Sequence, residues 1–115
     1  MIQIWHNNRC GKSRDAKKYL EEKGIAHEVF EYLKGEFSKD DLKNIISKLH
    51  ISDARQMLRS KEKEYKDLDI DNVNKSQDEI IDLVVANPKL VERPIVINND
   101  HAVIARPLEK IKEVL

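Results

Sequence analysis

The sequence predicts an α/β domain: a mixed four-stranded sheet whose β-α-β and β-β-α halves are separated by a helical insertion. Three observations lead to it. An apolar, β-prone N-terminal segment is followed by a glycine-containing loop, a helical pattern and a second β-prone segment. Near the C-terminus, two β-prone runs flank turn residues and lead into a last helical pattern. Between these halves the apolar spacing is that of helices.

Each element has its own signal. Ile2 to His6 reads as the first strand, and Asn7 to Lys12 as a polar loop. Ser13 to Lys23 reads as a helix with Ala16, Tyr19 and Leu20 on one face, stopped by Gly24. Ala26 to Tyr32 is the second strand, completing a right-handed βαβ unit with parallel pairing. The insertion is expected over residues 38–90. Ser38 with Asp41 has the capping-box pattern ahead of Leu42, Ile45, Ile46 and Leu49. A shorter helix near Ser52 carries Ala54, Met57 and Leu58. Ser76 with Glu79 caps another helix with Ile80, Leu83 and Val84 on its apolar face, ended by Asn87-Pro88. Ile95 to Ile97 and Ala102 to Ala105 flank Asn98-Asn99-Asp100 as a hairpin. Pro107 is expected at the first position of a final helix whose inner face is Leu108, Ile111 and Leu115. The order resembles a thioredoxin-like fold with helices inserted in its middle, within a single domain spanning 1–115.

Composition narrows the function. The chain has 115 residues, 40% of them hydrophobic, and no apolar run near the roughly 18 residues of a membrane span. Its start lacks a basic region followed by a long apolar stretch, so no secretory leader is expected and the cytoplasm is the expected location. Basic and acidic residues balance at 21 each, which argues against broad nucleic-acid binding but leaves room for a local basic pocket. Lysine supplies most of the positive charge. Arg9, Arg14, Arg55, Arg59, Arg93 and Arg106 are the arginines, the side chains suited to gripping a tetrahedral anion. The single cysteine excludes an internal disulfide, and the histidines lack paired ligand spacing, so no metal site is expected.

That cysteine, Cys10, lies where a strand gives way to a helix. Lone cysteines are often buried hydrophobes, but inert ones rarely occupy polar loops at helix starts. Unpaired N–H groups there carry partial positive charge, and Arg9, Lys12 and Arg14 add to it, so the thiol pKa should fall. The same loop can cradle an anion. Gly11 reads equally as a turn glycine or as a residue that removes bulk beside the sulfur. Ser13 reads as the helix N-cap, as a hydroxyl donor to the thiolate, or as both. Pro94 opens the third strand, where thioredoxin-like domains carry a cis proline beside the reactive sulfur. Spacing alone leaves Arg59, Arg93 and Arg106 either as surface arginines or as a converging set.

HNNRCGKSR (His6 to Arg14), ARQMLRSKEKEYKDL (Ala54 to Leu68), NPKLVERPIVI (Asn87 to Ile97) and ARPLEKI (Ala105 to Ile111) occur in one order across nearly the whole chain. In that order they resemble the glutaredoxin-linked arsenate reductase family, most closely its short arsenate-reductase-like branch. The resemblance puts Cys10 in the place of the nucleophile and Arg59, Arg93 and Arg106 in the places of the oxyanion-binding arginines. His6, Gly11, Ser13, Arg14 and Pro94 match supporting positions, and His6 reads either as a residue tuning the thiolate or as the polar end of a strand. Asn8 replaces a common proline, and Trp5 a frequent tyrosine.

The resemblance implies an enzyme in which the Cys10 thiolate attacks arsenate, and glutathione and glutaredoxin complete reduction to arsenite. With one cysteine, the second thiol must come from outside the chain. No bound cofactor is needed; glutathione is a co-substrate. The protein is expected to be a monomer without nucleic-acid or membrane partners. Two alternatives stay open: a monothiol glutaredoxin-like oxidoreductase, suggested by Cys-Gly-Lys-Ser, and a non-enzymatic regulator related to Spx proteins, which bind RNA polymerase. Ser13 replaces the second cysteine of the usual Spx switch.

Overall fold

A computed structural model describes residues 1–115. They form two compact units, Met1–Glu36 with Arg93–Leu115, and Phe37–Glu92. The first unit holds strands β1 (Ile2–Trp5), β2 (His27–Phe30), β3 (Ile95–Asn98) and β4 (His101–Ile104), helix α1 (Gly11–Glu22) and a C-terminal 3-10 helix (Leu108–Val114). The sheet order is β2-β1-β3-β4. β1 runs parallel to β2 and antiparallel to β3, and β3 is antiparallel to β4. This is the thioredoxin-like arrangement expected from the element order.

Alternation along β1 sends Ile2 and Ile4 to one face, where they meet Ala16 and Leu20 of α1, Val96, and Ile111 and Val114 of the last helix. Trp5 points the other way, stacking on Tyr32 and meeting Phe30 edge-on. Ile95, Val96 and Ile97 are all buried, as suits a central strand covered on both faces. Helix α1 ends in a Schellman motif: Gly24, at φ 66°, donates to Glu21 O, and Ile25 donates to Leu20 O.

Several details depart from the expectations. α1 begins at Gly11, two residues early, with Cys10 at its N-cap. The hairpin turn is only Asn99-Asp100, with Asn99 at φ 53°. Asn98 stays in β3, and its side-chain amide donates to Val114 O at 2.6 Å. Pro107 precedes the last helix in an extended conformation. That helix is 3-10, which repeats every three residues, so Leu108, Ile111 and Val114 face inward. Leu115, expected inside, is 47% exposed. The Arg93-Pro94 bond is cis, as expected, and so is Arg106-Pro107.

The second unit contains α2 (Lys39–Lys48), a 3-10 turn (Ala54–Met57), α3 (Lys63–Asp67), α4 (Gln77–Ala86) and a 3-10 turn (Pro88–Leu90). Both capping boxes form in full, Ser38 with Asp41 and Ser76 with Glu79. Ile80, Ile81 and Val84 are the buried residues of α4, with Ile81 replacing the expected Leu83. The segment near Ser52 is a 3-10 turn capped by Asp53 rather than a helix from Ser52. Arg55 ties this unit together: its Nε and Nη2 donate to the carbonyls of Ile70 and Asn72, and its Nη1 to the Asp53 carboxylate.

The three-residue repeat of the last helix has a direct test. Val114→Ala is expected to lower unfolding free energy by about 1–3 kcal/mol, whereas Leu115→Ala should change it by less than about 0.5 kcal/mol. Urea denaturation of both variants checks this, and equal losses would contradict the assigned face.

Candidate active site

Strand pairing gathers the first unit's candidate residues at one end of the sheet. Trp5 pairs with Ile95, and Ile95 with Ile104. Cys10 follows the first of these residues through a short loop, Arg93 precedes the second, and Arg106 follows the third. Residues distant in sequence therefore leave the same end of the sheet together.

The loop carrying Cys10 is tightly braced. Asn7 O accepts from Cys10 N–H at 3.0 Å, and Asn7 Oδ1 accepts from Arg9 N–H at 3.0 Å. Ser13 Oγ accepts the Asn7 N–H at 3.0 Å and shares a 2.6 Å hydrogen bond with His6 Nδ1. Arg14 Nη1 donates to Asn8 O at 3.0 Å. Asn8 therefore serves the loop through its carbonyl, which a proline there would also possess.

Cys10 is 9% exposed. Burial pushes its thiol up, yet the net shift is downward. The opposing causes are the Ser13 N–H, the charge and hydrogen bond of the Arg93 guanidinium, and the Lys12 N–H. Arg106 Nη1 lies 3.9 Å from Sγ and donates to Arg93 O at 3.3 Å, so the second arginine is held against the first. Pro94, buried behind Arg93, accepts the Ala105 N–H at 2.9 Å, which ties the two arginine-bearing segments together.

The supporting residues act differently from the expectations. Ser13 is not the N-cap: its hydroxyl serves His6 and Asn7, and its backbone N–H serves the sulfur. Gly11 is the first residue of α1 and does not have a positive φ, so it is no turn glycine. Apart from its chain neighbours, a Cβ there would come no closer than 3.8 Å to Arg14 Nη2, an ordinary contact. His6 is buried and bonded to Ser13 rather than to Cys10. Burial, then the charge of Lys17, hold it below the usual imidazole value against the pull of Glu31. Its ring braces the loop through the Ser13 hydroxyl, which also accepts the Asn7 N–H.

Arg59 belongs to the unit Phe37–Glu92. Its N–H donates to Leu90 O at 2.8 Å, and its Nη1 pairs with Glu62 Oε1 at 2.6 Å. Glu62 and the loop-bracing Asn7 were not singled out from sequence. Asn7 was findable as an Asx-turn residue two positions before Arg9. No group of His, Cys, Asp and Glu side chains is arranged to hold a metal ion, and no helix is long and apolar enough to cross a membrane.

The chain is similar to known proteins over nearly its whole length. The profile of the ArsC family matches residues 5–114. A Neisseria meningitidis protein named arsenate reductase is 46% identical, aligned over 99% of this chain and 97% of its own length. A Haemophilus influenzae protein of the same name is 45% identical, over 99% and 98%. The solved structure of an arsenate reductase from Vibrio cholerae superposes with a TM-score of 0.96 at 38% identity, over 99% of this chain and 97% of that one.

The electrostatics of Cys10 predict its reactivity. The pH midpoint for alkylation by iodoacetamide is expected below the ~8.5 of a free thiol, and Arg93→Ala should move it upward. A wild-type midpoint at or above the free-thiol value would remove the case for a stabilised thiolate.

Proposed function

Because the chain belongs to the ArsC family, we propose that it is an arsenate reductase whose nucleophile is Cys10. The observation that carries this is the sulfur at the N-terminus of α1, with Arg93 and Arg106 against it. An anionic nucleophile meeting an anionic substrate needs such cations, because without them charge repulsion opposes the approach. The backbone N–H groups and Arg93 favour the thiolate, and the arginines can also grip the oxygens of the incoming anion. On the family resemblance, Arg59 contributes to holding the same oxyanion.

The reaction then runs in two stages. The Cys10 thiolate displaces one arsenate oxygen, which leaves as water after protonation, and an arsenic–sulfur bond forms. A glutathione thiolate next attacks the Cys10 sulfur. The arsenic–sulfur pair of electrons passes to arsenic, which leaves as arsenite, and Cys10 is left as a mixed disulfide with glutathione. Glutaredoxin reduces that disulfide and restores the thiol. Two thiols lose the two electrons that arsenic gains. A single cysteine in the chain supports the need for an outside thiol, and the route uses thiol chemistry throughout.

The test is arsenite formation from arsenate with glutathione and glutaredoxin present. Wild-type protein is expected to form arsenite, and Cys10→Ser to be slower by about 1000-fold or more. No arsenite from the wild type would overturn the assignment, and equal rates would remove Cys10 from it. Turnover of a glutathionylated peptide without arsenate reduction would mark a monothiol oxidoreductase. Co-purification with RNA polymerase in the absence of both activities would mark a regulator.

A further inference from the structure

Two arginines in the unit Phe37–Glu92 are bound in opposite ways. Every nitrogen of the Arg55 guanidinium has a protein acceptor, so its fork is closed. Arg59 has one: Nη1 meets Glu62 Oε1 at 2.6 Å, and its other side-chain N–H groups carry no protein partner. Both side chains of that pair are mostly covered, at 29% and 23% exposure.

Glu62 is tied to Arg59 twice. Its N–H donates to Arg59 O at 3.1 Å, which closes a tight turn. It stands at the N-cap of α3, yet its side chain makes no capping hydrogen bond. The carboxylate is committed to Arg59 instead. An isolated arginine side chain loses about 2 kcal/mol of rotamer freedom when a ligand fixes it. A carboxylate that fixes it beforehand removes part of that cost from binding.

We propose that Glu62 is a positioning residue, holding Arg59 by Nη1 so that the open part of its fork is ready for the oxyanion. This rests on the reading that Arg59 binds the oxyanion. The same carboxylate also adds negative charge near the anion, so the sign of its effect distinguishes positioning from competition.

The experiment measures kcat and KM for arsenate, with glutathione and glutaredoxin, and the arsenate Kd in a Cys10→Ser background. Glu62→Ala should raise KM and Kd about tenfold while kcat stays within about twofold, as expected when one long side chain regains its freedom. Glu62→Gln keeps an acceptor oxygen and should restore KM and Kd to within about twofold of wild type. Unchanged or tighter binding in Glu62→Ala would overturn the proposal. If Glu62→Ala fails to fold, Glu62→Gln decides: a shift beyond about fivefold in either direction would mean that charge, not placement, governs the effect. Failure of the underlying reading has its own signature, an Arg59→Ala protein with wild-type KM and Kd.

Discussion

A nearly buried thiol can ionise only where donors meet its charge, and the first unit sets such donors around Cys10. Cys10 is only 9% exposed, and burial alone would keep its thiol protonated. The net shift is downward because the Ser13 and Lys12 N–H groups and Arg93 reach the sulfur. The backbone donors exist because a helix leaves its first N–H groups without intrahelical partners. Placing Cys10 at the N-cap, with no side-chain cap of its own, sets those open donors beside the sulfur, where they favour its ionised form.

The sheet supplies what the helix cannot. A helix start offers only partial charges, whereas Arg93 and Arg106 bring full ones. They come from the near end of β3 and the far end of β4, and the row Trp5, Ile95, Ile104 puts those ends beside the exit of β1. A slip of one residue in either pairing would turn the buried side chains of β3 and the flanking segments to the wrong face. Core packing and the site therefore depend on the same register. His6 and Ser13 extend the arrangement by bracing the loop through hydrogen bonds, with no charge needed from the imidazole.

Within Phe37–Glu92 the arginines divide by the state of their donors. Arg55 closes its fork on two carbonyls and the Asp53 carboxylate, and so staples segments of that unit together. Arg59 keeps part of its fork open and is held at one nitrogen by Glu62. Identical side chains four positions apart thus have different chemistry available to them. Satisfied donors favour rigidity, and open ones favour a ligand.

The amino-acid sequence alone determined the features that depend on near neighbours. The strands, the capping boxes at Ser38 and Ser76, the Gly24 stop and the placement of Cys10 at a strand–helix junction are all legible from spacing, because each is decided within a turn or two of chain. Family motifs added the arginines but could not distinguish Arg59, held by Glu62, from Arg93, which reaches the sulfur. Only the tertiary structure decided that Arg106 reaches a sulfur 96 positions away, that Ser13 offers its N–H rather than a cap, and that Val114 rather than Leu115 turns inward. Those outcomes depend on strand register, on competition among several hydrogen-bond partners, and on a helix tightening to three residues per turn against the sheet.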